Sequence, residues 1–160
     1  MKIKSSYLVK VLSLTAVLVF IASLVIQAEE DKSNFSGIWA LNFMESSPAA
    51  RGEISELIVK QEGNFLTTTT THPDGTSFVS KYTLDGKESV NMEGLTETRS
   101  TAMFSGDGKK LTILKSSYGA DEEKTDQDVW RMTDAKTLSI VCTTMGSSGD
   151  EVVRYVFTRK

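Results

Sequence analysis

The chain has 160 residues, with 18 Lys+Arg against 21 Asp+Glu, 39% hydrophobic and 24% charged residues. That is one globular domain's worth of chain and excludes a disordered tail, collagen and a coiled coil. One cysteine, Cys142, excludes an intramolecular disulfide framework and any multi-cysteine zinc or iron–sulfur site. One histidine, His72, excludes every motif that needs two. A formal net charge of -3 gives no electrostatic reason to expect nucleic acid as a partner.

Residues 1–28 read as targeting. Lys2, Lys4 and Lys10 make a positive start, Val11 to Ile26 is an apolar run, and Ala28 precedes a polar stretch that begins at Glu29. Charge, apolar core and a small residue before a polar break form a secretory signal helix, with cleavage expected after Ala28. An uncleaved anchor stays open as the alternative. The apolar run covers about 24 Å at ~1.5 Å per residue, short of a ~30 Å hydrocarbon core. Either way the body is expected outside the cytoplasm, periplasmic or secreted, with membrane contact only through this segment. Removing it takes three lysines and no acid, which leaves a more acidic surface unsuited to anionic membranes.

A short polar linker, 29–34, leads into the domain at 35–160. From Phe35 onward no stretch carries an apolar period of 3.6. Short runs rich in Val, Ile, Thr, Phe and Tyr alternate with turn clusters. The clusters are Glu62-Gly63-Asn64, Pro73-Asp74-Gly75, Asp85-Gly86-Lys87, Glu93-Gly94 and Asp107-Gly108-Lys109, then Tyr118-Gly119, Asp134-Ala135-Lys136 and Gly146 to Asp150. Asp-Gly supplies the positive φ of a tight hairpin turn. The runs between them predict ten strands, at 35–44, 54–61, 65–71, 77–83, 88–92, 96–104, 110–117, 126–132, 137–144 and 151–159. Run 88–92 is weak enough that eight strands remain open. Ser47-Pro48, within 45–57, fits a helix start of about one turn. Strands joined in order by tight turns make an all-β, up-and-down antiparallel meander. One this long removes its edges by closing into a barrel.

Phe35-Ser36-Gly37-Ile38-Trp39 in the first strand resembles the opening of the calycins, the group of lipocalins, fatty-acid-binding proteins and avidins. The final strand, Val152-Val153-Arg154-Tyr155-Val156-Phe157-Thr158-Arg159, and the Trp130…Asp134-x-Lys136-Thr137-Leu138 stretch look like bacterial secreted lipocalin-like domains. The resemblance implies a lipocalin-like barrel whose closed end is plugged by Trp39. It also implies a basic residue from a late strand over that ring, Arg154 as first candidate and Arg159 as second. A guanidinium over an indole adds roughly 0.5–2 kcal/mol. The chain departs from the subfamilies in places. Segment 45–53 is too short for the two helices of fatty-acid-binding proteins, Arg154 and Tyr155 are adjacent where those proteins have Arg-x-Tyr, and two tryptophans are fewer than avidins use.

The candidate ligand-binding residues are Trp39, Arg154, Phe104, Trp130 and Tyr155, and Trp39 and Arg154 have structural readings beside that one. Arg99 is expected to face solvent if Ala102 and Phe104 face inward. In the run Thr67 to Thr71, the set Thr67, Thr69, Thr71 must meet a different environment from Thr68 and Thr70. Cys142, in Leu138-Ser139-Ile140-Val141-Cys142, reads as a buried small hydrophobe. Asp121, Glu122, Glu123, Asp126 and Asp128 read as a solvated loop without the glycine-punctuated pattern of a calcium site. No Gly-x-Ser-x-Gly or phosphate-binding glycine loop occurs, and no cofactor or metal is expected. The expectation is therefore a binder and not an enzyme. Its partner is a small apolar or amphipathic molecule held inside the barrel. An extracytoplasmic protein-interaction module, such as a protease-inhibitor barrel acting through its loops or the 29–34 arm, is the alternative.

Overall fold

Every expected strand forms, most of them ending at the expected turn residues; the first is shorter than the expected 35–44, and the turn expected at residues 85–87 falls inside a strand. A computed structural model describes residues 32–118, 123–146 and 149–160, so the signal helix expected in 1–28, and residues 29–31, lie outside the described residues. Ser33–Lys160 form one compact unit. Its strands are β1 (Gly37–Leu41), β2 (Glu56–Glu62), β3 (Phe65–Thr71), β4 (Ser77–Thr83), β5 (Asp85–Glu93), β6 (Thr96–Phe104), β7 (Lys110–Tyr118), β8 (Glu123–Asp134), β9 (Thr137–Met145) and β10 (Glu151–Arg159). The weak 88–92 run is a full strand, which makes the count ten among the described residues. The expected turn at Asp85-Gly86-Lys87 is instead a register shift inside β5, with Gly86 at φ 78°. A bulge of this kind bends a strand where it must curl.

The sheet runs β4-β3-β2-β1-β10-β9-β8-β7-β6-β5, all neighbours antiparallel. First and last strands pair as the meander requires, with Trp39 opposite Arg159 and Leu41 opposite Phe157. The two ends of the order, β4 and β5, meet through side chains. The Lys81 N–H donates to Asn91 Oδ1 at 2.7 Å and Asn91 Nδ2 donates to the Lys81 carbonyl at 3.1 Å. The Thr83 N–H donates to Ser89 Oγ at 3.1 Å. Asn91's amide thus supplies the donor and acceptor that a neighbouring strand would, and the barrel is nearly closed without an exposed edge at that point.

Alternation sorts the strands into two faces. Leu57 and Val59 point inward on β2, as do Leu66 and Thr68 on β3, Leu111 and Ile113 on β7, and Leu138 and Ile140 on β9. The barrel's closed end carries the β2–β3, β4–β5, β6–β7 and β8–β9 turns. Residues 33–36 cross beneath it, so the expected linker is not free there. The Ser33 N–H donates to the Gly108 carbonyl at 2.8 Å, and Gln61 ties the segment at both the Phe35 N–H and the Ser33 carbonyl. Phe35 is fully buried, stacked on Phe104 at 6.0 Å and edge-on to Trp130 at 5.8 Å.

At the other end β1 stops at Leu41, and the chain forms a single 3-10 turn at Pro48–Ala50, the one turn that Ser47-Pro48 suggested. The β10 backbone left without a strand partner is taken up by Ser46 and Ser47. Their hydroxyls accept from the N–H groups of Val156 and Arg154 at 2.9 and 3.0 Å. Serines do here what a longer β1 would have done.

Candidate binding site

The closed end is a packed plug. Trp39 is fully buried and its Nε1 donates to the Phe35 carbonyl at 3.0 Å. The guanidinium over it belongs to Arg159, whose Cζ lies 4.3 Å from the ring centroid. Two hydrogen bonds pin that guanidinium, to the Ser36 carbonyl at 2.8 Å and the Ala135 carbonyl at 3.2 Å. The first-choice Arg154 is corrected. Tyr155 and Phe157 point inward, so strand parity sends Arg154 outward, where it is exposed and reaches Ser139 Oγ at 3.4 Å. The arrangement also explains Gly37. A Cβ there would sit 2.6 Å from an Arg159 nitrogen and 3.3 Å from the Trp39 ring.

Above the plug lies a cavity of about 130 Å³. Its apolar wall is Ile54, Leu57, Ile140 and Phe157, with the Trp130 ring beside them. Thr68 and Thr70, the inward members of the threonine run, belong to its polar wall, together with Tyr155 and Cys142. The rest of that wall is an ion pair that composition alone could not locate. Lys115 Nζ sits 2.6 Å from Asp128 Oδ2, with the Asp128 side chain 9% exposed. Leu111, Ile113 and Lys115 share the inward face of β7, and Asp128 and Trp130 share that of β8. Cys142 stands directly opposite Asp128 on β9.

The acids expected as one solvated loop are therefore split. Asp126 and Asp128 belong to strand β8, where Asp126 Oδ1 accepts from Thr144 Oγ1 at 2.6 Å. Asp121 and Glu122 lie outside the described residues. Proximity in sequence had grouped residues that alternate strand geometry separates.

The electrostatics follow from confinement. Burial alone would depress the Lys115 ammonium, but the Asp128 carboxylate outweighs it and holds the group protonated well above the usual lysine range. The Cys142 thiol is pushed up to about 12, by burial first and then by Asp128. The Tyr155 phenol is pushed up to about 12 chiefly by burial. Cys142 is half-buried and inside the barrel, not the fully buried hydrophobe its neighbours suggested.

Two buried atoms on this wall have no partner, Asp128 Oδ1 and Trp130 Nε1. Of the five sequence candidates, Trp130 and Tyr155 line the cavity. Trp39 and Phe104 pack the closed end, and Arg154 is outside. Lys115 has no mark in the sequence reading, and Asp128 and Cys142 read there as loop and core, although their parity with Ile113, Trp130 and Ile140 marks all three as inward.

No protein-family model and no curated protein matches the sequence. Solved structures do. Zebrafish ileal bile acid-binding protein, complexed with cholic acid, aligns with a TM-score of 0.57 at 19% identity, over 80% of this chain and 100% of its own. A secretory abundant heat soluble protein from Ramazzottius varieornatus aligns with a TM-score of 0.57 at 12% identity, over 79% of this chain and 95% of its own. At such identities the likeness concerns the fold. The expected architecture stands: the chain is a ten-stranded, nearly closed antiparallel barrel with a calycin-like fold.

Proposed function

We propose that this protein is an extracytoplasmic binding protein that holds a small amphipathic molecule inside its barrel. The observation that carries this reading is the cavity above Trp39, where Asp128 Oδ1 and Trp130 Nε1 are buried without partners. Buried polar groups in folded proteins are nearly always satisfied, so two orphans on one cavity wall mark a place for a guest or for ordered water. The Lys115–Asp128 pair supports the same reading. A buried ion pair adds little stability over apolar residues of the same volume, so its presence inside a barrel calls for a use.

The bile acid named with the zebrafish protein sets a contrast in size. Pockets for drug-sized ligands run from about 300 to 1,000 Å³, whereas this cavity is about 130 Å³. The guest is therefore smaller, with its carbon end against Leu57, Ile140 and Phe157 and its polar end toward Asp128 and Trp130. Binding without catalysis fits the groups present. The ammonium and carboxylate neutralise each other, and a thiol at about 12 is not a nucleophile at neutral pH. Delivery beyond the cytoplasm rests on the secretory pattern of residues 1–28.

Native mass spectrometry of the chain purified without detergent tests both parts. A small bound mass that is lost on unfolding is expected, on a protein shortened at Ala28. An intact N-terminus would overturn cleavage. Protein that carries no guest, and takes up none from a small-molecule library, would overturn the binding reading.

A further inference from the structure

We propose that the cavity selects an uncharged molecule bearing a hydroxyl or a primary amide over a carboxylate of the same shape. This deepens the binding reading above and rests on it. The first ground is charge. Lys115 Nζ is already committed to Asp128 Oδ2 at 2.6 Å, so the wall as a whole is neutral. An entering anion meets the Asp128 carboxylate beside the Lys115 ammonium, and an entering cation meets the ammonium beside the carboxylate. Either adds an unbalanced charge to a confined site, which is the arrangement burial penalises most.

The second ground is the direction of the unfilled hydrogen bonds. Asp128 Oδ1 belongs to an ionised carboxylate and can only accept, while Trp130 Nε1 can only donate. The two residues are two apart on β8 and so project from the same face, about 6–7 Å apart along the strand. A guest that satisfies both must donate at one point and accept at another. A hydroxyl or a primary amide can do this, directly or with one retained water. A carboxylate accepts from Trp130 but brings no proton for Asp128. A hydrocarbon does neither and displaces the water that would otherwise serve both atoms, which loses affinity.

The third ground is size. At about 130 Å³ the cavity is close to the ~150 Å³ engineered cavity that accommodates benzene, so the guest has only a handful of heavy atoms. Leu57, Ile140 and Phe157 provide the dry surface for its carbon part.

The test uses butyramide and butyrate, which share shape and heavy-atom count and differ in charge and donor, with 1-butanol as a second neutral probe. The chain has two tryptophans, so its nitrogen-labelled spectrum carries two indole N–H signals, told apart with Trp130→Phe. Addition of butyramide or 1-butanol to the full-length chain is expected to move the Trp130 signal and leave Trp39, which is bonded to the Phe35 carbonyl, in place. Butyrate at neutral pH should bind at least tenfold more weakly. In Asp128→Asn the ammonium of Lys115 stands alone, and butyrate should overtake butyramide by about tenfold. If that variant fails to fold, Trp130→Phe serves in its place. It keeps most of the ring but removes the donor, and should weaken butyramide severalfold in a ligand-observed titration.

Butyrate binding to the unaltered chain as tightly as butyramide, with the Trp130 signal moving, would overturn the selectivity and leave the binding reading intact. If no probe moves Trp130 while native mass spectrometry still finds a guest, the site lies elsewhere and this inference falls alone. If neither experiment finds binding, both fall together.

Discussion

The two halves of the barrel interior are built from the same strands and do opposite things. At the closed end Phe35, Trp39, Phe104 and Phe157 fill the space, and the Arg159 guanidinium over Trp39 has both its contacts and its stacking surface fixed. Midway up, the same strands place Lys115, Asp128, Thr68 and Cys142 around a void and leave Asp128 Oδ1 and Trp130 Nε1 unserved, with Ser100 Oγ, opposite Lys115 on β6, also without a partner. A packed end, with the Trp39 indole and the Arg159 guanidinium both hydrogen-bonded, holds the fold. A polar, underfilled middle contributes less to stability and supplies recognition. Proteins commonly concentrate such local violations of packing rules at functional sites.

The comparison is broken most directly by large truncations in each half. Trp39→Ala should cost about 3–5 kcal/mol, the range for removing a large buried aromatic, read as a fall in the urea midpoint at unchanged slope. No second substitution nearby should restore it. Lys115→Met should also cost up to about 3 kcal/mol, because it leaves the Asp128 carboxylate buried and alone. Adding Asp128→Leu should recover most of that loss, since an apolar pair of similar volume replaces the ions. Full recovery in the middle with none at the base would separate recognition from support. A double variant as unstable as the single one would show that the ion pair is part of the scaffold.

The seam between β4 and β5 sharpens the comparison next. Asn91→Leu removes both hydrogen bonds to Lys81 and leaves an N–H and a carbonyl of β4 without partners. The expected cost is about 1–3 kcal/mol, with faster hydrogen exchange at the Lys81 amide. Exchange unchanged at Lys81 would mean that the seam is held by something other than this amide.

Alkali should attack the middle before the base. Cys142 and Tyr155 both have folded pKa values raised to about 12, and Lys115 is raised as well. A folded pKa above its unfolded value means that the folded chain retains a proton the unfolded chain releases. The stability so gained is complete below the unfolded values and is lost as pH climbs through the folded ones. Melting temperature should therefore decline between about pH 9 and pH 12. For the half-buried cysteine and tyrosine the loss is on the order of 1–2 kcal/mol after solvent screening. Cys142→Ala should flatten that decline, whereas a decline of the same steepness in the variant would assign it to other groups.

How far the sequence discloses this arrangement depends on what the residue does. Turn chemistry and alternation are local, so the ten strands, the meander and the single turn at Pro48 can be read from spacing. The plug at Trp39 comes from the resemblance of Phe35-Ser36-Gly37-Ile38-Trp39 to the calycin opening, and spacing alone does not supply it. The Lys115–Asp128 pair is hard to read because charged residues default to the solvent side. The run of acids from Asp121 to Asp128 hides that β8 begins at Glu123. Parity held the answer, since Lys115 continues Leu111 and Ile113 and Asp128 precedes Trp130. What it could not supply is the packing that makes an inward charge tolerable, namely a partner on the next strand.

Parity also decides the smallest effect. Arg154 and Arg159 are the same residue type on one strand, five positions apart, so an odd spacing puts them on opposite faces. Arg159→Ala loses the guanidinium over Trp39, two hydrogen bonds to backbone carbonyls and the packing of its stem, and should cost about 1–2 kcal/mol. Its effect should be non-additive with Trp39→Ala by at least about 0.5 kcal/mol, since the two side chains touch. Arg154→Ala removes one long contact to Ser139 from an exposed position and should stay within about 0.5 kcal/mol. Its backbone N–H, which carries the bond to Ser47, is untouched by the substitution. Val156, on the same outward face, is buried, so equal losses at the two arginines would mean that its cover extends to Arg154. Arg154 would then have a partner that its exposure does not reveal.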